Sequence, residues 1–285
     1  MSRSEQTSNA TFMSLLEQKW RERKFVCVGL DPVLDLIPDF MKEKAPVQNA
    51  FFAFTRTIIE ATHDLVCAYK PNSAFYEAYG EAGMDALIKI IEYIKNKHPD
   101  IPVILDAKRA DIGNTNRGYV EAAFDIICAD AITVHPYLGK EALLPFLERR
   151  DKGIIVLVKT SNAGSDELQN LPVGERQEPL YQVVARNVAT NWNTNGNCAI
   201  VVGATYPNEL RQVRAIVGDM PILIPGIGAQ GGDIKATVQA GKDSRSRGMI
   251  INSSRSILYA SRGSDFVDAA RNATQKLHNA INMNR

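Results

Sequence analysis

The chain has 285 residues, 45% hydrophobic and 23% charged, enough apolar material for one large core. Lys and Arg (33) nearly cancel Asp and Glu (32), which excludes polyanion binding by bulk charge; a small anion held by a few local cations fits better than a nucleic acid. Residues 1–10 are polar with no signal-like apolar stretch, and no run reaches the roughly 20 apolar residues of a membrane span, so a cytoplasmic protein without membrane partners is expected.

Taken in chain order, a helix of about Thr11 to Arg23 precedes the first apolar, β-branched run, Phe25–Leu30. Further runs follow at Leu65–Tyr69, Val103–Leu105, Ala131–Val134, Ile154–Val158, Ala199–Val202, Ile222–Ile224 and Met249–Ile251. Each has the unbroken apolar pattern of a strand buried on both faces, as in a parallel sheet. Helical periodicity fills the gaps at Phe51–Thr62, Met84–Lys95, Arg117–Ile127, Leu138–Leu147, Leu180–Trp192, Pro207–Val217 and Asp233–Ala240, and a last helix runs from roughly Asp265 to Ile281. Eight strands alternating with eight helices predict a (β/α)8 TIM barrel, an α/β fold. It forms a single domain over residues 1–285 with an N-terminal helical extension. An open doubly wound sheet is the competing architecture, but no G-x-G-x-x-G follows the first strand. Two polar stretches, Asn162–Glu178 and Gly241–Arg247, are expected as loops, the first a candidate lid. Cys27, Cys67, Cys128 and Cys198 form no C-x-x-C pair and are expected as small core residues. Trp20 and Trp192, on helical patterns, are expected to pack.

In a barrel, chemistry sits where strands end. The strand ends carry Asp31, Lys70, Asp106 with Lys108, His135, Lys159 and Ser161, and Arg255. Side chains alternate along a strand, so Asp106 and Lys108 should share a face and pair. At about 4 Å and an effective dielectric near 20, such a pair interacts by roughly 4 kcal/mol before desolvation. Asp111, on the following turn, and Lys70 would extend this into an alternating Asp–Lys–Asp–Lys array. A structural salt-bridge network at the rim is the alternative. Gly226, Gly228, Gly231 and Gly232 allow close backbone approach to an anion, Gln230 offers a neutral donor, and Arg255 offers a planar fork; together they predict a phosphate site. His135 is expected to be a hydrogen-bonded structural residue. Lys159 is expected to be an electrostatic or solvent-reaching group, with a Schiff-base lysine as the sharper alternative. The histidines at 63, 98, 135 and 278 are too scattered for a metal cluster.

The run Leu105-Asp-Ala-Lys-Arg-Ala-Asp-Ile-Gly-Asn-Thr115 resembles the D-x-K-x-x-D-I-x-N-T signature of orotidine 5'-phosphate decarboxylases. Gly-Leu-Asp31, Lys70-Pro, Thr-Ser161-Asn-Ala-Gly, Pro-Gly-Ile-Gly-Ala-Gln230-Gly-Gly and Arg255-Ser follow in the matching order, and the Asn-Ser-Ser-Arg-Ser-Ile segment is similar to the longer bacterial branch. The resemblance implies decarboxylation of orotidine 5'-monophosphate to uridine 5'-monophosphate in pyrimidine biosynthesis, without metal or cofactor. It implies that Lys108 protonates C6 and that Asp106 lies beside the substrate carboxylate. Asp111, with Ile112 and Thr115, would cross a homodimer interface into a shared site. Lys70 and Asp31 would approach the ribose hydroxyls, Ser161 the pyrimidine amide edge, and Gln230 with Arg255 the phosphate. The segment between Gly164 and Glu178 is longer than in short family members, and Ser254 stands where those often have Gly. A metal-dependent barrel enzyme on sugar phosphates, a Schiff-base aldolase and a non-catalytic nucleotide sensor are the rivals.

Overall fold

The computed structural model describes residues 10–227 and 233–285. Eight parallel strands form one sheet: β1 (Val26–Gly29), β2 (Val66–Lys70), β3 (Ile104–Arg109), β4 (Ala131–Val134), β5 (Gly153–Lys159), β6 (Cys198–Val202), β7 (Ile222–Pro225) and β8 (Met249–Ser253). The spatial order is β2-β1-β8-β7-β6-β5-β4-β3. Parallel bridges Tyr69–Val103 and Asn72–Asp106 join its two ends. The Asp106 N–H donates to Pro71 O at 2.9 Å across the same seam. The sheet therefore closes into a barrel, and the open doubly wound alternative falls. Strands β1, β2, β4, β6 and β8 are buried throughout, which is why their sequences read as unbroken apolar runs.

The longer helices are α1 (Phe12–Arg21), α2 (Val47–Thr62), α3 (Gly80–Lys97), α4 (Gly113–Glu121), α5 (Gly139–Leu147), α6 (Leu180–Asn187), α7 (Pro207–Val217), α8 (Ile234–Gly241) and α9 (Phe266–Asn284). Helices α2 and α3 begin before the predicted Phe51 and Met84, because their first turns hold small and polar residues that carry no apolar period. The predicted Arg117–Ile127 helix is α4 followed by a π-turn, Ala122–Ile126.

Helix α1 covers the end of the barrel where strands begin. Thr11 caps it, its hydroxyl accepting from the Ser14 N–H at 3.2 Å. Phe12, Leu15, Leu16 and Trp20 are buried. Trp20 Nε1 donates to the carbonyl of Met249, the first residue of β8, at 2.9 Å. Trp192 is also buried, so both tryptophans pack as expected. Gly241–Arg247 is tied down at this same end: the Arg214 guanidinium donates to the carbonyls of Gly218, Met220, Gly241 and Gly248.

Two expectations need correction here. Cys27, Cys67 and Cys198 are core residues, but Cys128 is exposed. It leaves the π-turn with φ +61°, which swings it out of the buried stripe. The Asn162–Glu178 segment is not an irregular loop. It holds a turn at Ala163–Ser165, a short helix at Asp166–Gln169 and a small hairpin pairing Pro172–Val173 with Glu178–Pro179.

Candidate active site

Two clefts open side by side at the end of the barrel where strands finish. The first, about 240 Å³, is walled by Asp31, Asn72, Asn252, Ser254 and Arg255. The second, about 350 Å³, is walled by Lys108, Thr133, Leu157, Ser161, Val201 and Leu223. They share Lys70, Asp106 and Pro225. The first cleft thus holds Arg255 among polar side chains, and the second is mostly apolar with hydroxyl and amide groups in its wall.

Asp106 sits at the junction and is ligated on both oxygens. Lys70 Nζ donates to Oδ2 at 2.6 Å and Lys108 Nζ to Oδ1 at 2.6 Å. Thr133 Oγ1 donates to Oδ1 at 2.8 Å and accepts the Lys108 N–H at 2.9 Å. Burial alone would raise the Asp106 pKa, but Lys70 and then Lys108 outweigh it and hold the carboxyl well below the usual carboxylate range. Burial alone would lower the Lys70 pKa, but Asp106 and Asp31 outweigh it and raise it above that of an ordinary lysine. The pairing holds Asp106 as a carboxylate and Lys70 as an ammonium. Asp31 brings a second carboxylate to Lys70, so two acidic and two basic side chains meet where the clefts join.

The Asp106–Lys108 pair does not arise by regular alternation. Leu105 lies opposite Ile132, but Arg109 lies opposite Val134, so β3 carries extra residues between them. Lys108 takes φ +48°, a left-handed conformation uncommon for a side chain-bearing residue. The bulge rolls the lysine back over Asp106 and leaves its side chain 47% exposed to the cleft. Strain of this kind gathers at sites where a group must be aimed.

The remaining polar wall is built by neighbouring strand ends. Asp31 Oδ1 accepts the Asn72 N–H at 3.1 Å, fixing the carboxylate beside Lys70. A Cβ at Gly29 would lie 1.8 Å from Ser254 Oγ and 2.9 Å from its Cβ, so any side chain there would displace Ser254. Ser254 thus fills the space that Gly29 leaves in β1, which accommodates a serine where shorter family members often have glycine. Asn252 is buried, and among the described residues its Oδ1 has no hydrogen-bond partner. Arg255 lines the first cleft. Gln230, Gly228, Gly231 and Gly232 lie outside the described residues.

Lys70, Lys108, Asp106, Asp31, Ser161 and Arg255 therefore meet around the two clefts. Asp111, Ile112 and Thr115 do not. Asp111 Oδ1 accepts the N–H of Ile112 at 2.7 Å, and Ile112 points outward with 61% of its surface exposed. Within one chain the array is Lys70–Asp106–Lys108, without the fourth member expected at Asp111. His135 is not a hydrogen-bonded structural residue. Among the described residues its ring makes no hydrogen bond, and it lines a neighbouring cavity of about 500 Å³ with Tyr137, Leu157, Leu168 and Tyr181. Of the two roles expected for Lys159 the electrostatic one holds: it is fully buried, not solvent-reaching, and is paired with Asp166. Thr133, Asn72 and Asn252 went unmarked in the sequence. Their signal was slight: each is a polar residue at or just past the end of a buried strand. Among the described residues no group of three or more His, Cys, Asp or Glu is placed to hold a metal, and no helix is long and apolar enough to cross a membrane.

Comparison with known proteins follows the same lines. A family model for the orotidine 5'-phosphate decarboxylase / HUMPS family matches residues 24–271. An orotidine 5'-phosphate decarboxylase from Janthinobacterium sp. (strain Marseille) is 52% identical over 273 residues, 95% of this chain and 98% of that protein. Among solved structures, the Leishmania donovani OMP decarboxylase is 40% identical with TM-score 0.81, the match covering 96% of this chain and 99% of that one. The Leishmania donovani UMP synthase is 42% identical with TM-score 0.84 over 95% of this chain, which spans 56% of that longer protein. The chain belongs to the orotidine 5'-phosphate decarboxylase / HUMPS family.

Proposed function

We propose that this protein decarboxylates orotidine 5'-monophosphate to uridine 5'-monophosphate, with Lys108 as the proton donor to C6. The activity follows from family membership and from the 52% identical decarboxylase relative. The observation that carries the residue roles is the shared wall of the two clefts: the Asp106 array stands between a mostly apolar compartment and one that holds Arg255. A pyrimidine nucleotide has that layout, an apolar ring with an amide edge at one end and a phosphate at the other.

In this reading the ring enters the second cleft against Leu157, Val201 and Leu223, with Ser161 at its amide edge. The ribose crosses Asp31 and Lys70, and the phosphate meets Arg255 in the first cleft, with Gln230 beside it. C6 then lies over the array. Cleavage of the C6–carboxylate bond releases carbon dioxide and leaves an electron pair on C6, in the plane of the ring. Resonance barely spreads that charge, so a fixed cation beside it lowers the barrier where a mobile one would not. Lys108 supplies the cation and then its proton to C6, and solvent restores the ammonium. Asp106 orients Lys108 and presents negative charge to the departing carboxylate. Charge and proton both come from Lys108, so the reading includes no metal or organic cofactor.

The same reading makes the protein a cytoplasmic homodimer with shared sites. Asp111 of the partner subunit would complete the Asp–Lys array, accompanied by Ile112 and Thr115. The exposure of Ile112, and an Asp111 that lines neither cleft of its own chain, support this. Hybrid dimers of inactive Asp111→Ala and Lys108→Ala chains should then regain activity, and no recovery under demonstrated subunit exchange would count against sharing. The activity itself is tested by following the loss of orotidylate absorbance in chelator-treated buffer. Full turnover is expected. Activity abolished by the chelator would instead favour metal-dependent chemistry on a sugar phosphate.

A further inference from the structure

Lys159 ends β5 on the rim where the chemistry is proposed, yet it lines neither cleft. Its register explains why. Leu157 lies opposite Val201, and Lys159 lies opposite Val202, so one extra residue separates them. Leu157 and Val201 face the second cleft, and Lys159 is turned to the other side of the sheet. There its side chain is fully buried.

A buried ammonium without partners is expensive, and among the described residues this one takes its hydrogen-bond acceptors from one stretch of chain. Lys159 Nζ donates to Asp166 Oδ1 at 2.6 Å, Ser165 Oγ at 3.0 Å and Asn170 Oδ1 at 3.1 Å. The Tyr206 ring lies 4.8 Å from it. A second set of bonds closes the same stretch onto the strand end: the Thr160 N–H donates to Gln169 Oε1 at 2.9 Å, and Gln169 Nε2 donates to Thr160 Oγ1 at 2.8 Å. Ser161 and Asn162 are the residues caught between the two ends of this clamp, and both line the second cleft. The opposite side is equally tight. Gly203, whose N–H donates to Lys159 O at 2.9 Å, leaves no room for a side chain, because a Cβ there would stand 2.8 Å from Ser161 Cβ.

We infer that Lys159 is a positioning residue for pyrimidine recognition: it anchors the 163–170 segment so that Ser161 is held at the ring's amide edge. Its charge serves the geometry of the second cleft and leaves the first cleft untouched. The inference rests on the proposed role of Ser161.

The test compares two competitive inhibitors, uridine 5'-monophosphate, which needs both clefts, and ribose 5-phosphate, which needs only the first. In Lys159→Met the inhibition constant for the nucleotide should rise roughly three- to tenfold, the size of one neutral hydrogen bond, while that for ribose 5-phosphate stays within about twofold. Both constants rising together, or neither moving, would overturn the inference. Asp166→Ala removes the clamp's counter-charge through a side chain that is 58% exposed, so the same split should appear with every buried side chain retained. Ser161→Ala separates the two layers of the argument. A nucleotide-specific loss there without one in Lys159→Met overturns this inference alone. No loss in Ser161→Ala overturns the reading of Ser161 and this inference with it.

Discussion

Lys108 and Lys159 both stand at the ends of strands that flank β4, and both are displaced from regular alternation by extra residues in their strands. Lys108 is rolled inward, shares Asp106 with Lys70 and keeps nearly half of its side chain open to the cleft. Lys159 is rolled outward, loses all contact with solvent and gives its ammonium to its own following segment. The residue type and the architectural position match, but the roles do not. A strand-end lysine acts on substrate when its partners leave a face of the ammonium unspent. It shapes the site when the chain takes every donor.

Substitution at each lysine sharpens the contrast, and the largest effect belongs to Lys108. Lys108→Ala should lower turnover by about 10²- to 10⁴-fold or more, the range of a lost general acid. Circular dichroism and the unfolding midpoint should barely move, because the side chain removed is half exposed. A variant retaining near-normal rates would remove Lys108 from the chemistry.

Asp106→Asn should act on the fold as well as on the rate. It leaves Lys70 buried and charged without its partner, a change that typically costs about 3–5 kcal/mol, read as a lower denaturant midpoint. A pH profile follows from the same pair. The folded-state pKa of Asp106 lies below its unfolded value of about 3.9, so the folded protein binds the proton less readily than the unfolded chain. The stabilisation is fully present above that unfolded value and is lost as pH falls below about 4 towards the folded value. Asp106→Asn should flatten this acid limb, and an unchanged limb would mean that other carboxylates set it.

Arg255→Ala should have the smallest effect of the three, a roughly 10- to 100-fold weaker binding of ribose 5-phosphate with uridine affinity within about twofold. Equal loss for uridine would contradict a phosphate role. The pattern would be opposite to that of Lys159→Met, whose effect should fall on the base.

The barrel was legible in the sequence because buried parallel strands leave unbroken apolar runs such as Ala199–Val202 and Met249–Ile251. The Asp106–Lys108 pair was legible for a reason that needs revising: alternation predicted a shared face, whereas the contact depends on a bulge and a left-handed Lys108. Thr133 and Asn252 were obscure because their importance lies in register across the sheet, Thr133 beside the bulged end of β3 and Asn252 opposite Pro225. Of the two roles expected for Lys159, electrostatic or solvent-reaching, the first holds; its burial was not legible because it requires both the β5 irregularity and a folded 163–170 segment, whose polar composition suggested an open loop. Its acidic and amide residues are the partners of a buried cation, so their polarity does not mark them as a solvated lid.

A crystal structure of the protein with uridine 5'-monophosphate tests the central claim most directly. The account predicts the pyrimidine in the second cleft, C6 about 3–3.5 Å from Lys108 Nζ and the phosphate on Arg255. A nucleotide seated away from the Asp106 array, or a Lys108 ammonium turned into bulk solvent with the site occupied, would contradict it.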